Sequence, residues 1–352
     1  KDIAGGNYHN CAAHDNGSIS CWGRNNYGQL GDDTTTNRTT PVSVSGITSA
    51  TKIILNSYSS CALLTGGTVK CWGYNAQGQL GDGTTTNRTT PVSVTGISTA
   101  NKIATGLYSS CAVLEDGTVK CWGMNTHGQL GDGSTTDRST PVTVSGLSGV
   151  SQVSGSYQFS CALLSNGTVK CWGRRGMGYL GDGIVGFKSS PVTVSGLSSA
   201  SMGSAYDHTC VVAGGAVKCW GKNIDNQLGD GSATNRSTPV SVSGISTASK
   251  VVVGYQHSCA LLNNKTVQCW GNGNGGKLGN GSTSSQSTPV NVSNITGILD
   301  IGVGNRLSCA VRDNGSAVCW GSGTVGANGD GTSNTYRVIP NPVSGSDNFT
   351  QI

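Results

Sequence analysis

The chain has 352 residues, of which 55 are glycine, 8 proline and 3 phenylalanine, and a net charge of +5 from 22 Lys plus Arg against 17 Asp plus Glu. This composition favours short strands and positive-φ turns over long helices, and the lack of a three-residue glycine period excludes collagen. No run of basic residues is present to track a nucleic-acid backbone, and no stretch of about 18 apolar residues is present to span a bilayer as a helix.

The chain repeats itself from end to end. The first cysteine of each unit falls at Cys11, Cys61, Cys111, Cys161, Cys210, Cys259 and Cys309. The second, always followed by Trp-Gly, falls at Cys21, Cys71, Cys121, Cys171, Cys219, Cys269 and Cys319. All 14 cysteines and all 7 tryptophans belong to this pattern. The units cover approximately 1–50, 51–100, 101–150, 151–199, 200–248, 249–298 and 299–352, so a single domain over 1–352 is expected, without a linker.

Within the second unit, Lys52 to Leu55, Cys61 to Leu64, Thr68 to Trp72 and Pro91 to Val94 read as four short strands in chain order, with a long polar loop, Gly73 to Thr90, before the last. A proline at a strand start suits a sheet edge. Four short antiparallel strands per unit, seven times over, predict an all-β, seven-bladed β-propeller. An open β-solenoid is the alternative, although its rungs are usually shorter. The opening Lys1-Asp2-Ile3 aligns with Thr51-Lys52-Ile53, and the tail Phe349 to Ile352 leads into the next such strand, so the termini are expected to meet at a blade boundary.

The hairpin spacing argues for one intra-blade disulfide in each unit. The cysteines stand ten residues apart, except in the fifth unit, where one residue is missing and the turn becomes Gly214-Gly215. Both a three-residue turn ending in glycine and a two-residue Gly-Gly turn place the cysteines opposite one another. Zinc and buried free thiols are competing readings, but structural zinc sites favour cysteines two to four residues apart with further ligands close by. Seven bridges imply an oxidising compartment: secreted, periplasmic or cell surface. Alternation places Cys61, Leu63, Val69 and Cys71 on one side of the sheet and Ala62, Leu64 and Trp72 on the other. The tryptophans then read as packing residues, with a row of ligand-stacking rings as the second reading.

Catalytic chemistry is hard to find. Of five histidines, His9, His208 and His257 precede a first-strand cysteine, where a polar rim is the plain reading and an acid–base or metal centre the sharper one. Asp32, Asp82, Asp132, Asp182 and Asp230 recur in glycine turns and read as turn residues. The stretch DGTTTNR lacks the ligand alternation and closing glutamate of a calcium loop. Asn-x-Ser/Thr sequons recur, as at Asn37, Asn87, Asn235 and Asn294. No catalytic, cofactor-binding or metal residue is therefore assigned, and no cofactor is expected.

The run ALLTGGTVKCWGYNAQGQLGDG, with its counterparts at Gly23–Gly31 and Gly123–Gly131, resembles the repeat of the regulator of chromosome condensation family over the whole chain. Departures include Tyr179 and Lys277 for the glutamine, Asn226 for the second glycine and Asn328 for the leucine. The resemblance implies a seven-bladed propeller, here a cysteine-paired variety similar to extracellular bacterial ones. The founder of the family acts on a small GTPase and on chromatin, but no residue here marks those contacts, and fold alone does not license function.

The expected function is an extracellular protein-binding scaffold that uses one propeller face, monomeric and without catalysis. Its partner would be another extracellular protein, a cell-surface component or a glycan. A carbohydrate-binding module, or an extracellular hydrolase with a site at a central channel, is the alternative. The loops between strands one and two contribute Tyr8, Tyr58, Tyr108, Tyr157, Tyr206 and Tyr255, with Arg306 near the seventh place. The fourth unit adds Phe159, Arg174, Arg175, Met177, Tyr179, Phe187 and Lys188. Tyr157, Phe159, Arg174, Arg175, Tyr179, Phe187 and Lys188 are therefore the candidate partner-binding residues, since clustered aromatic and arginine side chains make binding hot spots. Filling of a local packing gap is the competing explanation.

Overall fold

The computed structural model describes residues 2–6, 8–197, 201–205, 207–322 and 336–343. Seven four-stranded antiparallel sheets follow one another along the chain, at 2–43, 50–93, 100–143, 150–193, 201–241, 248–291 and 298–342. Each is a simple meander of consecutive strands, so the first and last blades both supply all four of their own. The fold is all-β, of the seven-bladed propeller class. Two compact units are distinguished: residues 1–176 with 185–193, and residues 177–184 with 194–352. The expected meeting of the termini falls on residue 1 and residues 344–352, outside the described residues.

Blade two shows the local logic. Its strands are Ala50–Leu55, Ser59–Leu64, Val69–Gly73 and Arg88–Ser93. The last begins three residues before the expected Pro91. Val92 pairs with Cys71 and Arg88 with Gly73, leaving Thr89, Thr90 and Pro91 opposite Trp72 alone. That bulge, on the outermost strand, accommodates a residue with no N–H to offer.

The cysteines meet as the turn lengths require. Cys61 pairs with Cys71 across a three-residue turn, and Cys210 with Cys219 across Gly214-Gly215, both at positive φ. All seven pairs are disulfides, with Cα atoms 4.0–4.1 Å apart, and no cysteine is free.

The two sheet sides bury different layers. Cys61, Leu63, Val69 and Cys71 pack with Leu80, Val94 and Ile97 of their own blade and with Ile103, Ala112 and Trp122 of blade three. Ala62 and Trp72 face the other way, onto Cys11, Ile19, Cys21 and Leu30 of blade one, with Leu64 packed against that layer. A modest apolar content suffices because each layer is only one residue deep from either blade.

The Gly-Gln-Leu-Gly string turns out to be the inter-blade clasp. Trp72 Nε1 donates to Gln29 O at 2.9 Å, as Trp122 does to Gln79 O and Trp172 to Gln129 O. The glycine after the leucine leaves room for that indole. Gly81 has φ +71°, and a Cβ there would lie 2.8 Å from Trp122 Nε1 and 2.9 Å from Val94 Cγ1. Left-handed backbone and overpacking together make Gly81→Ala expected to cost about 2–4 kcal/mol, measurable as a fall in urea midpoint at unchanged slope. A variant as stable as the parent would show that the clasp is loose.

Candidate binding surface

In blades one to six the strand one–two loop and the long loop after strand three emerge at the same end of the sheet, and in all seven one backbone bond ties strand three's exit to that end. The residue after Trp-Gly donates its N–H to the carbonyl three residues before the first cysteine. These bonds are Arg24 to Tyr8, Tyr74 to Tyr58, Met124 to Tyr108, Arg174 to Gln158, Lys222 to Asp207, Asn272 to Gln256 and Ser322 to Arg306, at 2.8–3.0 Å. Two side chains per blade are thereby held side by side. These are positions where the repeat varies.

Beneath them the long loop is built alike in most blades. Asn75 Oδ1 accepts from Leu80 N, while its Nδ2 donates to Asp82 Oδ1 and to the carbonyls of Thr84 and Thr86. Arg88 then pairs with Asp82 at 2.7 Å. The same pairing joins Arg38 to Asp32, Arg138 to Asp132 and Arg236 to Asp230. Although burial works the other way, hydrogen bonds from Thr or Ser and from Arg, joined by Asn25 at Asp32 and Asn125 at Asp132, hold these four carboxyls below their usual range. The recurrent aspartates are turn residues, as expected.

In blades one to four these positions supply Tyr8, Tyr58, Tyr74 and Tyr108, which gather with Tyr27 of the long loop and Tyr157, the residue before Gln158, into one band of six tyrosines. Tyr8 stacks on Tyr58 with centroids 5.6 Å apart, and Tyr27 meets Tyr58 at 5.6 Å and Tyr74 at 4.9 Å. Tyr74 continues to Tyr108 at 6.1 Å, and Tyr108 to Tyr157 at 6.0 Å. The Arg24 guanidinium lies 5.3 Å from the Tyr8 ring and 5.9 Å from that of Tyr58. Tyr8 is exposed and the other five are half-buried. Burial, then neighbouring tyrosines, raise the Tyr58 and Tyr108 phenols above their normal value, so both stay neutral. The band offers ring faces and phenol hydroxyls on a rigid base.

The fourth-blade candidates separate into two groups. Phe159 is fully buried and Tyr179 is 5 % exposed, so neither is a surface anchor, and the expectation that they contact a partner is corrected. The packing explanation accounts for them: Phe159 takes the place of small Ser59 and Ser109, and Tyr179 that of a buried glutamine. Tyr179 O still accepts from Trp220 Nε1, at 3.0 Å. Arg175 replaces the loop asparagine and is half-buried, and its N–H bonds Gly186 O instead. Tyr157 ends the tyrosine band, Arg174 bonds the neighbouring Gln158 side chain, and Phe187 stands opposite Arg174 in the strand pairing. Arg174, Phe187 and Lys188 are exposed. Tyr206 lies outside the described residues.

Tyr27, Tyr74 and Arg24 escaped sequence reasoning. The signal was available: they occupy the free positions of the Trp-Gly-x-Asn-x-x-Gly string, on the loop that must lie beside the strand one–two tyrosines.

The expectation that three histidines form a polar rim is corrected, because all three point into the space between blades. His9, His208 and His257 are buried, and each contacts a serine of the following blade, Ser60, Ser258 and Ser308, at 2.7–2.8 Å. Each serine donates onward to a carbonyl, Gln29, Gln227 and Lys277. The imidazoles must therefore donate from Nε2, which leaves Nδ1 an acceptor without a partner. Burial pushes all three down to about 3. They are neutral framework groups, and among the described residues no three His, Cys, Asp or Glu converge on a metal position.

Blades five to seven carry different chemistry at the equivalent positions. Lys222 pairs with Asp207 at 3.1 Å and lies 5.6 Å from the Tyr255 ring centre. Asp225 accepts from Gln256 Nε2 and Asn272 Nδ2 at 3.1 and 3.2 Å.

The repeat pattern described as the regulator of chromosome condensation (RCC1) repeat matches residues 16–63, 66–113, 116–163, 214–261 and 266–311. The chain belongs to the RCC1 repeat family. A second RCC1 repeat pattern matches 1–29, 52–79, 101–129, 150–178 and 248–277. Among solved structures, human WBSCR16 is similar at 21% identity and a TM-score of 0.78, over 87% of this chain and 84% of that one. Prp20p of Saccharomyces cerevisiae is similar at 22% identity and a TM-score of 0.75, over 87% and 80%. The CRINKLY WD40 ectodomain of the Arabidopsis thaliana receptor kinase ACR4 is similar at 19% identity and a TM-score of 0.54, over 97% of both chains. At these identities the likeness is one of fold. A comparison with curated proteins finds no match.

Proposed function

We propose that the 352 residues act as one extracellular, non-catalytic protein-binding domain whose partner docks on the tyrosine band. The observation that carries this reading is the contiguous array of six tyrosines at positions the repeat framework leaves free, one of them 42% exposed and five half-buried. Tyrosine supplies a large rigid contact at low entropic cost, which is why it is enriched in hot spots. Arg174, Phe187 and Lys188 extend the band beyond Tyr157.

Relatives of this fold support protein binding. Prp20p binds Gsp1p and histones, and yeast RCC1 binds Kap60. Seven disulfides support an oxidising compartment, and receptor-kinase ectodomains share the fold.

The test uses the immobilised chain and its Tyr27→Ala, Tyr74→Ala and Phe187→Ala variants, offered the secreted proteins of the source cells and, in parallel, a glycan array. A polypeptide retained by the parent is expected to bind each variant about five-fold or more weakly, as hot-spot truncations of about 1–3 kcal/mol do, with thermal midpoints unchanged. Equal retention by all three variants removes the band as the site. Retention of glycans alone assigns the band to sugars instead.

A further inference from the structure

Two basic residues interrupt the repeat next to one another in blades six and seven. Gln29, Gln79, Gln129 and Gln227 each use Oε1 to accept the backbone N–H two residues earlier, at 2.9–3.1 Å. Lys277 stands in that place and has no acceptor to offer. Its backbone is fixed all the same: Lys277 O accepts from Ser308 Oγ at 2.9 Å and Trp320 Nε1 at 3.0 Å. The residue is 3% exposed, yet its ammonium makes no hydrogen bond or ion pair among the described residues. Arg306, two residues before Ser308 and exposed, takes the position filled by Tyr8, Tyr58 and Tyr108 in blades one to three.

Among the described residues the charges around Lys277 do not balance. Asp225 favours its ammonium, but that carboxylate is already held by Gln256 and Asn272. His257 is neutral and committed to Ser308, and Lys222 is neutralised by Asp207. Burial first, and then Arg306, push the Lys277 amine down to about 8 against the pull of Asp225. Among the described residues two cations beside one carboxylate leave a single positive charge, partly desolvated, which a counter-charge reaching the solvent-touching ammonium would balance.

We propose that Lys277 and Arg306 form a subsite for a carboxylate group carried by an acidic peptide segment. One monoanion balances the cluster, whereas a dianion would be opposed by Asp225. The Arg306 guanidinium matches the two carboxylate oxygens and Lys277 supplies a point charge. This subsite goes beyond the tyrosine band and does not depend on it.

The experiment follows the Cε resonances of [13C]lysine-labelled protein at constant ionic strength. Lys277 is assigned by its loss in Lys277→Gln, and the second variant is Arg306→Tyr. Both substitutions install the repeat's own residue, so the framework is kept, and an unchanged thermal midpoint verifies it. The probes are sodium acetate, acetyl-Gly-Asp-Gly-amide and acetyl-Gly-Asn-Gly-amide, with chloride as reference. A saturable shift of the Lys277 signal is expected with acetate and the Asp peptide and not with the Asn peptide, and Arg306→Tyr is expected to weaken it at least ten-fold. An identical response to acetate and chloride overturns the subsite, as does a saturable shift that survives in Arg306→Tyr. A shift with acetate but none with the Asp peptide overturns the peptide-borne source.

Discussion

After denaturation, reduction, alkylation and return to native buffer, the chain is expected to stay unfolded, with tryptophan emission and far-ultraviolet signal both those of the denatured state. Each bridge closes a hairpin of 9 or 10 residues' separation, for which loop-closure entropy gives about 2–3 kcal/mol. The seven loops are separate, so their contributions add to roughly 15–20 kcal/mol, at or beyond the whole stability of an ordinary domain, about 5–15 kcal/mol. The sulfurs are also core atoms: Cys61 and Cys71 lie in the layer between blades two and three, at 1% and 0% exposure. Bulky caps there would split the layer. A graded control separates the two effects: Cys61→Ala with Cys71→Ala removes one bridge without added bulk and is expected to cost about 2–4 kcal/mol, closure plus lost packing. A fully alkylated chain with native spectra would mean that the thin layers hold the blades unaided.

The parts of this fold that were legible in the sequence are those fixed within one repeat. Cysteine spacing revealed the hairpin register, because deletion of one residue in the fifth unit changed the turn and kept Cys210 facing Cys219. Alternation sorted Cys61 from Ala62 correctly, since period two needs only the strand itself. What escaped depends on the next blade. His9 reads as a rim residue until Ser60, 51 positions later, is seen at its Nε2. Phe159 and Tyr179 read as exposed because their unit lacks the small residues and the asparagine of the others, and only packing shows that they fill that space. Tyr27 and Tyr74 sit at apparently free positions of the motif. Their meeting at 4.9 Å arises from the blade-to-blade step, which no single repeat records.

The three buried histidines make acid the second large lever on this protein. Each is neutral in the fold, with a pKa lowered by burial to about 3 against 6.5 when exposed. The unfolded chain therefore binds more protons than the native one between these values, and stability falls as pH falls. The stabilisation is complete above pH 6.5 and declines by about 1.4 kcal/mol per pH unit for each histidine down to the folded pKa. Protonation would also place a second donor at Nδ1, which has no acceptor to meet. The carboxyls of Asp32, Asp82, Asp132 and Asp230 act the same way but later, because their lowered pKa values make their contribution decline only as pH falls through the normal carboxylate value of 3.8. The window between pH 6.5 and 4.5 thus belongs to the histidines. Urea unfolding measured across it is expected to show the midpoint falling steeply, by about 4 kcal/mol per pH unit for all three together at the upper limit. In the variant His9→Ser, His208→Ser and His257→Ser, which installs the residue present at Ser59 and Ser109, the protein is expected to be less stable at pH 7, through lost packing, but much flatter between pH 6.5 and 4.5, keeping only the slope of His127, whose pKa is also lowered by burial and by Arg174. A parent protein flat across that window would show that the imidazoles are reached by water and titrate normally. A triple variant with the parent's slope would move the acid response to other groups.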